Sequence, residues 1–114
     1  MAQVKQGRVV TASGQSQSSA FVLGTETLVG VYTPAVLSAA QLKIQASHDG
    51  VSFVDVMDDG ATLTVSADES AYIALNPAKL LGAAQVRFVH VDGGGVPVAE
   101  AAERVLRPVF RTFE

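Results

Sequence analysis

The sequence predicts an all-β protein, an antiparallel β-sandwich of jelly-roll type with seven or eight short strands and one or two short helical turns. Three observations lead there. Residues 41–60, QLKIQASHDGVSFVDVMDDG, hold two Asp-Gly turns, at Asp49-Gly50 and Asp59-Gly60. Gly reaches positive φ without a steric penalty and Asp tolerates it, so each pair favours a hairpin. Short β-rich runs recur along the chain with turn residues between them, the spacing of a sandwich. Hydrophobic residues make up 48% of the chain but aromatics only 6%, with no tryptophan. That apolar content is mostly Val and Ala, which favours strands and two closely packed sheets.

In chain order, residues 1–19 predict a flexible or partner-ordered N-terminal arm, and residues 20–114 the sandwich domain. Val4, Val9 and Val10 can seat a short strand, but TASGQSQSS after them has the small, polar composition of a loop. Residues 20–23 and 27–32 read as strands around a turn at Gly24-Thr25-Glu26. Thr33 then Pro34 is an N-cap followed by a first-turn proline and predicts a helical turn over PAVLSAA. In residues 41–47, Leu42, Ile44 and Ala46 alternate with Lys43, Gln45 and Ser47, giving one dry and one wet face.

Residues 61–65 alternate again, with Leu63 and Val65 facing in, and residues 71–75 form a further strand. Asn76-Pro77 opens and Gly82 closes a second helical turn. Residues 85–91 carry Val86, Phe88, Val89 and Val91, apolar on both faces as in an interior strand. Glu100 and Arg104 have helix-pair spacing, yet Pro97 and its neighbours fit an extended loop equally well. Residues 104–113 read as a long strand with Val105, Val109 and Phe113 on one side. Pro108 cannot donate to a ladder and places that strand at an edge or a bulge.

At 114 residues the chain has room for one domain able to bury a core without disulfides, and it contains no cysteine. The net charge of −3 and scattered Lys and Arg argue against nucleic acid or an anionic membrane as partner. No apolar run approaches the roughly 20 residues that span a bilayer. MAQVKQGRVV lacks the apolar segment of a secretory signal, so the chain is expected to be made and kept soluble.

The run SHDGVSFVDVMDDG, then AYIAL, then AAQVRFVHV resembles discoidin-type, galactose-binding-like jelly rolls. These share a Ser-x-Asp-Gly-x-x-aromatic hairpin followed by a strand of Arg-x-hydrophobic type. Phe53 stands where such domains often carry Trp, and their frequent cysteine pair is absent. A second resemblance covers about residues 19–113. TPAVLSAAQLKIQASHDGVSFVDVMDDG, AYIALNPAKLLGAAQVRFV and PVAEAAERVL are similar to small structural proteins of tailed bacteriophages and gene-transfer particles. That resemblance implies a virion structural protein made in the host cytoplasm, a capsid decoration, head-spike or tail-associated subunit. Its expected partners are other virion proteins and further copies of itself, in a homo-oligomer. The alternative is a carbohydrate-binding module for host-surface recognition.

No catalytic, cofactor-binding or metal residue is expected, and no enzyme activity. Asp49, Asp58 and Asp59 form the one acidic cluster, without EF-hand spacing, and are read as turn residues facing water. His48 sits in a turn; His90 shares a strand face with Val86 and Phe88 and is expected at the sandwich edge or hydrogen-bonded there. Two histidines without a third ligand do not make a zinc site, and no serine has a recognisable base beside it. Gly93-Gly94-Gly95 is followed by Val96-Pro97 rather than a helix with Lys-Ser/Thr, so it reads as a turn, not a phosphate loop. Tyr32 and Tyr72 are the candidates for a sugar-stacking surface and otherwise read as edge tyrosines.

Overall fold

A computed structural model describes residues 3–24, 26–80 and 83–112. The expected sandwich is present, and its strand order is that of a jelly roll. In one sheet, β1 (Gln3–Gln6) and β2 (Val9–Thr11) flank β12 (Arg104–Thr112), which pairs on its other side with β4 (Glu26–Tyr32), and β4 with β10 (Tyr72–Ala74). In the other, β3 (Phe21–Val22) pairs with β11 (Gln85–Val91), and β11 with β5 (Gln41–Ser47). The far edge of β5 is shared by β6 (Val54–Asp55) and β9 (Thr64–Ser66). A small ribbon of β7 (Met57–Asp58) and β8 (Ala61–Thr62) hangs between those two. All pairings are antiparallel, and the chain changes sheet from β2 to β3, β3 to β4, β4 to β5, β9 to β10, β10 to β11 and β11 to β12. That wiring places the first and last strands side by side, as a jelly roll requires.

The inward residues of the two sheets make one core: Leu28, Val31, Leu106 and Phe110 against Leu42, Ile44, Val86 and Phe88. Burying each such side chain fully stabilises the fold by about 1.5–3 kcal/mol. The Phe21 ring joins the layers, 5.7 Å from Phe88 in one sheet and 5.4 Å, edge-on, from Phe110 in the other. The accessible surface of 5959 Å² matches the roughly 5,900 Å² that a free-standing monomer of this mass exposes.

Several local expectations meet a different arrangement. Residues 3–19, expected as an arm, lie within the sandwich in the described chain. β1 and β2 pair with β12, Gln17 bridges Val89, and Val9, Thr11 and Ser18 are buried. The polar run 11–19 is legible as structure only once its partners are in place. No helical turn follows Pro34 among the described residues. The Thr33 hydroxyl instead donates to Asp68 O (2.6 Å) and accepts from Ala71 N (2.9 Å), tying the chain to the next connection. The amides of Leu37, Ser38 and Ala39 then donate to distant carboxylates rather than starting a helix.

The turn at Pro77–Leu80 does form, as a 3-10 turn with Asn76 Oδ1 accepting from Ala78 N (3.1 Å). Its expected stop at Gly82 lies outside the described residues, as do Met1, Ala2, Thr25 and Phe113. β12 is a central strand, not an edge, and the irregularity that Pro108 foretold is a register shift between Val109 and Phe110. Leu106 and Phe110 join the core cluster from this strand, and Val109 is buried as well. In β5 to β6 the return strand is short, because Asp49 holds residues 48–53 as a loop. At the second Asp-Gly pair, Asp59 (φ 54°) and Gly60 (φ 86°) both turn left-handed, as a two-residue hairpin turn demands.

Candidate functional site

β11 alternates Val86, Phe88 and His90 onto the core side, so the strand that supplies core residues also carries an imidazole inward. His90 is fully buried. A buried polar ring must find partners, and this one has two. Thr11 Oγ1 from β2 lies 2.7 Å from its Nε2, and Glu100 Oε2 lies 2.9 Å from its Nδ1. A carboxylate only accepts, so Nδ1 carries the proton and donates to Glu100, while Nε2 accepts from the Thr11 hydroxyl.

Glu100 is the hub. Besides His90, its carboxylate accepts from Arg104 Nε (2.9 Å), Ser38 N (2.9 Å) and Ala39 N (3.2 Å). Burial alone would push its pKa up; the bonds from Arg104 and Ser38, with a smaller electrostatic contribution from His90, outweigh that and hold it below the usual carboxylate range. For His90, burial lowers the pKa, and the nearby Glu100 charge offsets this only in part. The cluster is thus a carboxylate paired with a guanidinium and a neutral imidazole, drawn from β2, β11, β12 and two connections.

Hydroxyl, imidazole and carboxylate in this order have the connectivity of a nucleophile, a base and its orienting group. Chemistry also needs a place for the substrate within reach of the hydroxyl. Thr11 has no exposed surface, so in this folded state the hydroxyl reaches nothing but His90. The arrangement binds elements of the fold together.

The other candidates fall apart in space. Asp49 closes its own loop, accepting from Val51 N (2.8 Å), Ser52 N (3.0 Å) and the Ser47 hydroxyl (3.0 Å). Those bonds, the Val51 amide first, hold its pKa down to about 2. Asp58 pairs with Lys79 (2.8 Å), and Asp59 is the left-handed turn residue. His48 lines a surface pocket of about 240 Å³ with Ala46, Ser47, Ser52, Val54 and Ala83. Among the described residues no three His, Cys, Asp or Glu side chains could hold a metal together. Asp92 folds the glycine run, its carboxylate accepting from Gly94 N (2.8 Å) and Val96 N (3.0 Å). Tyr32 and Tyr72 are adjacent and half-exposed, ring centroids 4.8 Å apart and tilted by 47°. The Tyr72 ring lies over Gly30, where any Cβ would collide with it.

Reading the sequence did not find Thr11, Glu100 or Arg104 as one group with His90. The Glu100 and Arg104 spacing was visible, but their contact forms in an extended loop rather than a helix. Thr11 gave no signal, since only the pairing of β2 with β12 brings it to His90.

A scan against protein-family models finds no match, and a search of curated proteins finds none either. Among solved structures the chain is similar to the SPBc2 prophage-derived protein YomS. The TM-score is 0.62 at 12% identity, over 98% of this chain and 96% of that one. At that identity the likeness is one of fold.

Proposed function

We propose that this chain is a bacteriophage virion structural protein, a capsid decoration, head-spike or tail-associated subunit that works by packing against other proteins. What supports the reading is the end-to-end fold likeness to a prophage-derived protein, with neither chain carrying a large addition to the other. The Thr11–His90–Glu100 cluster is sealed from solvent, so the reading rests on the surfaces of the sandwich. Val51, Val54 and Met57 are exposed along the segment that edges the second sheet, and Val4 and Val22 on other edge strands. Such edges are suited to contacts with further copies or with a shell.

Mass spectrometry of purified particles from a phage or prophage encoding the chain tests this. The expected result is its peptides in fixed ratio to a capsid or tail protein. Expression in the infected cell with exclusion from particles would overturn it. Sedimentation at rising concentration tests the homo-oligomer separately.

The second reading, a glycan-binding module on the virion or elsewhere, rests on the adjacent Tyr32 and Tyr72 rings. Their mutual tilt and the seating of Tyr72 over Gly30 leave less flat surface than sugar stacking uses. Glycan-array binding abolished by Tyr32→Ala or Tyr72→Ala would favour it, and silence across a broad array would remove it.

A further inference from the structure

We propose that the Thr11–His90–Glu100–Arg104 cluster is a proton-operated latch: uptake of one proton by His90 loosens residues 11–18 and the loop around Glu100 while the two-sheet core stays folded. The proposal does not depend on the phage reading.

The first support is what the cluster holds. Residues 11–18 are fastened on one side to β11, through His90 N to Ser16 O (2.6 Å), Ser18 N to Phe88 O (2.9 Å) and Phe88 N to the Ser18 hydroxyl (3.0 Å). On the other side they meet the loop before β12, through Gly14 N to Glu100 O (2.8 Å) and Glu100 N to Gln15 O (2.9 Å). The side chains of Thr11, His90 and Glu100 cross that junction. The pairing of β4 with β12 and of β5 with β11 runs through other residues for most of its length. The latch therefore controls a margin of the sandwich, not its centre.

The second support is charge. The groups facing His90 are Thr11 from β2, Glu100 from the loop and, behind Glu100, Arg104 from β12; across the sheet β5 presents Leu42, which is uncharged. With His90 neutral, Glu100 and Arg104 cancel. A proton on Nε2 leaves a second cation on a carboxylate that already accepts from Arg104 and two backbone amides, with both side chains buried. The new N–H also points at Thr11, whose hydroxyl must turn and accept, so its own proton loses its acceptor.

The direction follows. Burial holds the His90 pKa below that of an exposed imidazole, so the opened state takes the proton first. Opening therefore grows as pH falls below about 6.5, by up to about tenfold per pH unit for a single proton, and levels off once His90 titrates in the closed state. Exposed carboxylates titrate lower, and the chain has one other histidine, His48, on the hairpin loop.

Amide hydrogen exchange of the full chain, followed by NMR at pH 7.5 and 5.5 and corrected for intrinsic chemistry, tests the latch. Protection at Gly14, Ser18 and Glu100, relative to Ile44 and Phe110, should fall several-fold, by at most about tenfold, over that interval. His48→Gln should behave like the parent, and His90→Gln should show a flat ratio. An unchanged ratio in the parent, or an equal fall in His90→Gln, overturns the proposal. Should His90→Gln fail to fold, the ¹⁵N shifts of the His90 ring in the unmodified chain decide the matter. A neutral ring protonated at Nδ1 with a midpoint below 6.5 is expected; a midpoint at or above 6.5 sinks the latch.

Discussion

Two carboxylates in this molecule make similar bonds and should matter very differently. Glu100 accepts from Arg104, His90 and two backbone amides with no exposed surface. Asp55 lies on the outer face of the second sheet, in a ladder that runs from Arg87 to Gln45 (2.8 Å), Gln45 to Asp55 (2.9 Å) and Lys43 to Asp55 (3.2 Å). Its side chain keeps 35% of its exposure. Water can replace every partner of Asp55 and none of Glu100. Burial, more than the number of bonds, sets what each carboxylate contributes.

The largest test of that contrast is Glu100→Ala, which strands an imidazole N–H, a guanidinium and the amides of Ser38 and Ala39 without their acceptor. A loss of about 3–5 kcal/mol in urea unfolding is expected, the scale of a broken buried pair. A loss below about 1 kcal/mol would place Glu100 with the surface groups. Thr11→Val keeps the shape and removes one donor, leaving His90 Nε2 buried without a partner. It should lose about 1–3 kcal/mol, and the pH dependence of stability near pH 6 should weaken, because a free Nε2 is easier to protonate.

The same contrast explains what the sequence could reveal. Alternation in residues 41–47, the doubly apolar run 85–91 and the Asp-Gly turns are local patterns, and each corresponds to an observed element. Pro108 announced an irregularity but not its place, because an edge and a bulge both spare a proline its missing donor. The Thr33-Pro34 signal failed because Thr33 found a partner 35 residues away in Asp68, which no local rule weighs. The buried cluster lies at the far end of that scale. Thr11 and His90 are 79 residues apart, and Thr11 sits at the head of a small, polar stretch that composition assigns to a loop.

Asp49 offers a smaller test at the exposed end. Its pKa of about 2, set by the Val51 and Ser52 amides, lies below the ordinary 3.8. The folded state therefore gains from the ionised form above pH 3.8 and loses that gain as pH falls toward 2. Asp49→Asn should flatten this part of the acid unfolding curve and leave the region near pH 6 untouched. An unaltered acid limb would mean that the loop persists without the charge.

The smallest effect belongs to Asp55→Asn. Gln45 holds the Asp55 pKa down first, and Lys43 adds to it against a modest opposing effect of burial. An amide at this position still accepts from Gln45, so only the Lys43 attraction disappears, in a place open to solvent. The expected loss is about 0–1 kcal/mol, and it should vanish in 1 M salt, where screening acts within roughly 3 Å. Arg87 gives the ladder a second anchor, its guanidinium 4.3 Å from the centre of the Phe53 ring, and that contact does not involve Asp55. If Asp55→Asn instead lost as much as Glu100→Ala, and did so in high salt, solvent exposure would not be what separates the two carboxylates. The outer ladder would then be acting as a buried network, which requires that something cover that face in solution.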